Sequence, residues 1–364
     1  MALFYFTLNQ TYCIYSIEYK EDKTIMKSLM KIVAFLSIFA ILADGCIGRN
    51  NVENIKKSAN ENIEATTESL KDSITRIFDS EKTDESASEF STETYKNEMV
   101  ISFVDVGQGD CTIIKCGDNA MMVDTGMYYE YDNVQEEMRN LGIRSLDYLV
   151  LTHPDADHIG SAEDVIEDYP VDTVLMPDCD SDSKTYSRLM TAIDESGVKI
   201  VHPATEDTFA FGDAVIDVLA PKYDVEGAYS DTNSFSIVCK VTYEINSVLL
   251  TGDATGEEIG DIIDYENVSA DIIKLAHHGS ANDGCNNYYF LDKVNPDYAI
   301  VSCGYDNNYG HPHRETMSYL KDNDIKMFRT DLQGTIRCVL DGRLITFGRE
   351  NCKDFASGEE LECE

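Results

Sequence analysis

From Met99 onward the sequence predicts an α/β (α+β) fold, two mixed β-sheets flanked by helices, and two observations carry that expectation. Short apolar runs bounded by Gly-containing turns alternate with segments whose apolar residues recur at helical spacing. The strand-like runs come first in hairpin-like succession and helices interleave later, the order expected of sheets that are antiparallel in one part and parallel in another. In chain order, strands are expected over 100–104, 112–115 and 121–123, then a helix over 133–140. Strands over 148–151 and 173–176 lead to a helix over 184–196. Strands over 236–241 and 247–250 precede a helix over 257–263, and strands over 272–276 and 298–302 precede one over 314–322. A strand over 335–340 closes the series, and no internal repeat is visible.

A chain of 364 residues could hold two average domains, yet α/β enzymes of about 250 residues often fold as one unit. The hydrophobic fraction of 43% supports a sizeable core, whereas a formal net charge of -38 is far outside the ordinary globular range. Such a surface repels polyanions unless metal or a local basic patch intervenes. It argues against a sequence-reading nucleic-acid binder, whose affinity comes mostly from Lys and Arg at phosphates. An enzyme that meets nucleic acid through bound cations is still allowed. The eleven cysteines fall singly, as Cys111, Cys239 and Cys303 do, so most are expected to be buried small hydrophobes, with Cys338 and Cys352 the candidate disulfide pair.

Residues 1–46 read as a signal or anchor segment. Lys27 and Lys31 precede an apolar run from Ile32 to Ala43, shorter than the roughly 20 apolar residues of a membrane span. Leu42-Ala43-Asp44-Gly45-Cys46 resembles a bacterial lipoprotein signal, with lipid on Cys46, and a start at Met26 or Met30 would account for the residues before it. Residues 47–97 form an acidic polar linker with a weak helical stripe, 98–350 the folded domain and 351–364 an acidic tail. This order implies an extracellular or cell-surface protein, held to the membrane by lipid or an N-terminal anchor, or secreted.

The chemistry is expected at strand ends. His153, Asp155, Asp157 and His158 fall within six residues after the run ending at Leu151. Carboxylates at that density repel one another unless cations neutralise them, and the competing reading is a solvated acidic turn. Polar groups recur at the ends of other apolar runs: Asp124 after 121–123, Asp253 after 248–251, His277 and His278 after 272–276, and His311 and His313 beyond 299–303. Six of the seven histidines therefore sit in loops that follow strands, while His202 and Lys274 read as structural. Gly107-Gln108-Gly109 lacks a third glycine at dinucleotide-binding spacing, and no Gly-x-Ser-x-Gly nucleophile elbow occurs.

The ordered set Asp105-Val106-Gly107-Gln108-Gly109-Asp110, Asp124-Thr125-Gly126, Thr152-His153-Pro154-Asp155-Ala156-Asp157-His158, Asn233-Ser234, Gly252-Asp253, His277-His278-Gly279-Ser280 and Gly310-His311-Pro312-His313 resembles the metallo-β-lactamase superfamily. It is similar in particular to the C-terminal hydrolase domain of the ComEC family of competence DNA-uptake proteins. The resemblance covers about 99–348 and not the membrane channel of that family, so it speaks to chemistry rather than transport.

The resemblance implies an αββα sandwich and two divalent metal ions, Zn²⁺ or Mn²⁺ with Mg²⁺ a further candidate. His153 and Asp155 would bind one ion, Asp157 and His158 the other, Asp253 both, and one of His277 and His278 would complete the second site. Most of the superfamily has His where Asp155 stands and another near Asn233 or Ser234, and harder oxygen ligands shift preference toward Mn²⁺ or Mg²⁺. Asp105, Asp110, Asp124, Asn233 and Ser234 would lie in the shell behind the ligands or at the substrate, with Asp124 orienting a histidine.

Two such ions would activate a bridging hydroxide for in-line attack on phosphorus, with Asp157 holding the water. His311 and His313 would protonate the leaving oxygen or bind phosphate, and for His313 a hydrogen bond within its own loop is an equal alternative. The function expected is a metal-dependent phosphodiesterase or nuclease, with DNA a candidate substrate. The alternatives are hydrolysis of another ester (a phosphocholine, cyclic nucleotide or lactone) and an inactive surface-binding protein, against which the retained acids and histidines argue.

Overall fold

Two sheets organise the residues described by the computed structural model, which are 98–222, 231–263 and 268–361. The expected signal segment, Cys46 and the linker lie outside them. The first sheet begins with β1 (Met99–Phe103), β2 (Thr112–Cys116) and β3 (Asn119–Val123), paired antiparallel. It continues with β4 (Leu146–Val150), β5 (Val171–Leu175) and β6 (Lys199–Val201), each parallel to its predecessor. The second sheet repeats that plan. β7 (Thr208–Phe211), β8 (Ala214–Ala220), β9 (Val238–Tyr243) and β10 (Asn246–Leu250) run antiparallel, then β11 (Ile272–Lys274), β12 (Tyr298–Val301) and β13 (Lys326–Arg329) run parallel. β14 (Ile336–Leu340) returns to the first sheet beside β1, and β15 (Ile345–Phe347) edges it.

Alternation along the strands divides the apolar side chains between two faces. Ile101, Phe103, Ile114, Met121, Val150, Ile216, Val241, Val248 and Phe328 meet between the sheets in one core. The outer face of the first sheet packs on α1 (Tyr131–Asn140), α2 (Ala156–Ile159), α3 (Ala162–Asp168) and α4 (Lys184–Ser196) through Val134, Met138, Ile159, Val165 and Leu189. The outer face of the second packs on α5 (Gly256–Ile262), α6 (Tyr288–Val294) and α7 (Arg314–Asp322) through Ile259, Phe290, Leu291, Met317 and Leu320. Full burial of each such side chain is worth about 1.5–3 kcal/mol, so the cores, rather than the short helices, hold the layers together. The layer order is the expected αββα sandwich. Among the described residues no helix is long and apolar enough to cross a membrane.

The helices over 184–196 and 314–322 have the expected bounds. Ser183 caps the first, its side chain accepting from the Tyr186 N–H, and Gly197 ends it at φ 69°. β6, β13, β15 and the β7–β8 hairpin were not expected. β6 and β15 are short edge strands and β7 has two strongly exposed positions, so these three show no long apolar run. Cys338 and Cys352, the candidate disulfide pair, are free thiols. Cys338 lies in the core between the sheets and Cys352 in the outer core against Met327, so a bond between them is ruled out by placement. Beyond β15 the chain stays on the domain: α8 (Thr330–Gln333) follows β13, the Arg329 guanidinium donates to the Ala356 carbonyl at 2.5 Å, and α9 (Gly358–Leu361) begins with the Gly358 N–H on the Pro312 carbonyl at 3.0 Å.

Candidate metal centre

The C-terminal ends of the parallel strands of both sheets point at one place. Asp124 follows β3, His153 to His158 follow β4, Asp253 follows β10, His277 and His278 follow β11, and His311 lies beyond β12. The loop between β1 and β2 closes against them: the Asp110 N–H donates to the Asp157 carbonyl at 3.1 Å. A Cβ on Gly109 would stand 2.4 Å from that carbonyl oxygen, so only glycine lets the loop approach.

Asp124 holds the first histidines in place. Its buried carboxylate accepts from the Thr152 N–H at 2.8 Å, the Thr152 hydroxyl at 2.7 Å and His158 Nδ1 at 2.8 Å. His158 Nε2 is thereby turned toward Asp253, with Oδ1 at 3.2 Å. The two atoms are not aligned as a hydrogen bond, and both are buried without a partner. His153 is set by the Thr152 hydroxyl at 3.1 Å from Nδ1, and its buried Nε2 also lacks a partner. Asp155 stands 3.9 Å from His153 Nε2, more exposed, and accepts from the Thr232 hydroxyl at 3.2 Å.

His277 and His278 both have positive φ, 48° and 56°. This left-handed pair costs strain that non-glycine residues rarely tolerate, and it aims both rings inward. His278 is buried, with Nδ1 2.9 Å from the Ser302 carbonyl and Nε2 3.2 Å from Asp157 Oδ2. His277 is partly exposed, with Nε2 3.5 Å from Asp253 Oδ2. Four overlapping trios bring ligand-type atoms within 4.8 Å of one another: His153, His158 and Asp253; Asp157, His158 and His278; Asp110, Asp253 and His278; Asp110, Asp124 and His158.

Of the other expected positions, Asp110 stays in the cluster and the rest lie apart from it. The Asp105 carboxylate accepts from the Gly107 N–H at 3.2 Å and shapes its own turn. Ser234 bonds Thr255 through their hydroxyls at 2.6 Å, while the buried Asn233 Oδ1 lacks a partner. Asp110 forms a buried ion pair with Lys274, and its other oxygen lies 3.5 Å from His278 Nδ1. Lys274 is thus the charge beneath the cluster. At His313, Nδ1 accepts from the Ala281 N–H at 2.9 Å and Nε2 faces the Tyr309 carbonyl at 3.2 Å, the contacts of the loop alternative to a catalytic role. His202 lies elsewhere, on the Met176 carbonyl at 3.0 Å.

Gln108 is the residue that the sequence reading passed over. Its Oε1 accepts from the Gly304 N–H at 3.2 Å, which turns its amide nitrogen toward His311 Nδ1 at 3.5 Å. Nδ1 is then the acceptor, and Nε2 of His311 carries the proton. Burial, together with His278 and His277, pushes His311 down to about 3, so its ring is neutral.

The carboxylates decide the protonation of the others. Burial alone would depress His158, but Asp253 and Asp124 raise it well above the ordinary imidazole value. Burial opposes protonation of His278 too, yet Asp253, Asp110 and Asp157 push it up to about 10. His153, buried and beside His158, falls to about 3. Without cations, His158 and His278 therefore hold protons at neutral pH, and a cation bound through them must displace these. Metal binding near pH 7 should release close to one proton from each, and apparent affinity should rise with pH up to the raised values. Calorimetric titration in buffers of different ionisation enthalpy measures this; pH-independent binding without proton release would contradict it.

A family model described as the metallo-beta-lactamase superfamily matches residues 104–320. The ComE operon protein 3 of Bacillus subtilis (strain 168) is 29% identical over 270 residues, 69% of this chain and 34% of that protein. The competence protein ComA of Neisseria gonorrhoeae is 27% identical over 247 residues, 66% and 32% of the two chains. Recombination protein 2 of Haemophilus influenzae is 29% identical over 242 residues, 65% and 28%. The chain thus spans about a third of the length of the curated relatives it matches.

Proposed function

Because the chain belongs to the metallo-β-lactamase superfamily, we propose that this cluster holds two divalent cations, Zn²⁺ or Mn²⁺, and hydrolyses phosphodiesters, with nucleic acid the substrate. One observation carries the reading: His153 Nε2, His158 Nε2, Asp253 Oδ1 and Asp110 Oδ1 are all buried without hydrogen-bond partners. Each such atom costs about 1–3 kcal/mol, and cations among them would satisfy several together. The donor set, imidazole with carboxylate, suits Zn²⁺ and Mn²⁺. His153 and Asp155 would hold one ion, Asp157, His158 and His278 the other, with Asp253 between them. Names of relatives that speak of competence and recombination support nucleic acid over other esters.

When bound, the ions would supply Lewis acidity toward water and the phosphoryl oxygens. The protein's own groups do the rest. Asp124 and the Ser302 carbonyl fix the tautomers and directions of His158 and His278. Without cations Asp157 is held ionised by His278 and His158 against the effect of burial, and as a carboxylate it would accept a hydrogen bond from water and direct it. His311, neutral and oriented by Gln108, donates Nε2–H to the leaving oxygen, stabilising charge there rather than delivering a full proton. Adding Mn²⁺ or Zn²⁺ to the metal-stripped chain should start hydrolysis of bis-p-nitrophenyl phosphate and of a DNA oligonucleotide. Absence of turnover with either metal would sink the reading.

A further inference from the structure

We propose that Tyr309 is a base-stacking subsite for the nucleotide beside the scissile phosphate, an inference that rests on the phosphodiesterase reading above. The Tyr309 ring lies nearly parallel to His311, with an interplanar angle of 19° and centroids 5.6 Å apart. His311 is only 4% exposed, whereas Tyr309 is 66% exposed. One face of the tyrosine therefore covers a residue of the cleft, and the ring is otherwise open to solvent.

Charge explains why a ring is needed there. The site loops 105–110, 124–130, 152–161, 231–236, 251–256, 275–286 and 302–313 contain no Lys or Arg. Of the cations next in sequence, Lys274 is buried against Asp110, and Arg314, outside the loops, shares its charge with Glu360 at 2.6 Å on the surface. A chain of net charge -38 without cationic side chains in these loops cannot follow a phosphate backbone by charge, so affinity beyond the bound metal must come from neutral contacts. The same loops carry Tyr128, Tyr129, Tyr305 and Tyr309, all more than half exposed. The Tyr128 backbone packs so closely on Gly160 that a Cβ there would lie 2.6 Å from its nitrogen, which places that tyrosine pair beside α2, the helix of Asp157 and His158. The flat group that accompanies a phosphodiester in nucleic acid is the base, and stacking on tyrosine accepts every base because each has a π-face.

Two esters with the same leaving group isolate the contact: thymidine 5′-(p-nitrophenyl phosphate) and methyl p-nitrophenyl phosphate, assayed with the full chain and Mn²⁺. The unaltered protein should favour the thymidine ester in kcat/KM by roughly ten- to a hundred-fold, the range of one base–aromatic stack. Tyr309→Leu should erase that preference and Tyr309→Phe should keep it, since the ring and not the hydroxyl is used. In parallel, fluorescence anisotropy compares a labelled oligothymidylate with an abasic strand of equal length, where Tyr309→Leu should abolish the preference for bases. A preference that survives Tyr309→Leu, or an equal loss on both esters, would overturn the subsite, the latter because Tyr309 would then only prop His311. Base-dependent binding through Tyr309 without hydrolysis of either ester would keep the subsite and remove the hydrolytic function. Hydrolysis of both without base preference would do the reverse.

Discussion

Asp253→Ala should abolish turnover and empty the cluster of metal. The side chain is buried, with Oδ1 3.2 Å from His158 Nε2 and Oδ2 3.5 Å from His277 Nε2 and 3.6 Å from His278 Nε2. Among the described residues no other carboxylate lies this close to all three histidines. Burial opposes its ionisation, but His158 and His278 hold it well below the ordinary carboxylate range, so it is a full negative charge wherever the protein works. In the proposed arrangement its removal would take away charge that two cations need and the carboxylate that would lie between them. The loss in metal affinity should exceed the roughly 10–100-fold typical of a partner behind the ligands, which is the effect expected of Asp124→Ala. Metal content after dialysis and turnover of bis-p-nitrophenyl phosphate measure both, with a thermal melt as the check on folding. Asp253→Ala with metal retained and full activity would break the proposed arrangement.

His311→Ala should lower turnover about 10²–10³-fold on a substrate with an alkyl leaving group, the scale of losing one oriented donor to a developing oxyanion. The loss should shrink with p-nitrophenolate, which carries its own negative charge well. Because the ring is pushed down to about 3, it stays neutral above that pH, and cations bound in the cluster would only lower the value further. The pH–rate profile should therefore show no limb from His311 near the ordinary imidazole value. His313→Ala should behave differently, costing about 1 kcal/mol of stability through loss of the hydrogen bond from the Ala281 N–H, with equal effects on both leaving groups. Equal losses for His311→Ala on both substrates would reassign that ring to binding.

Most of the site was legible because its parts are titratable residues placed where apolar runs stop. Asp124, His153, His158, Asp253 and His278 each satisfy that pattern, and the parallel halves of the sheets bring those strand ends together. What was not legible depends on contacts between distant segments. Asp110 and Lys274 lie in unrelated parts of the chain, and only the packing of the β1–β2 loop under β11 makes them a pair. His311 and His313 are indistinguishable in sequence, both beside Pro312. The Ala281 N–H claims one ring and Gln108 orients the other. Asp105 sits in the same motif as Asp110 yet serves its own turn, a difference of loop direction that residue type does not encode. The β7–β8 hairpin carried a readable signal, Gly212-Asp213 between alternating residues, with Val215 exposed and Ile216 buried.

The most direct test of the central claim follows the hydrolysis of bis-p-nitrophenyl phosphate while Mn²⁺ or Zn²⁺ is added in known equivalents to the metal-stripped full chain. If two cations are held as proposed by His153, Asp155, Asp157, His158, Asp253 and His278, activity should climb until two equivalents per chain are bound and then level, and should be lost in Asp253→Ala. Activity complete at one equivalent, or undiminished in the stripped protein, would contradict it.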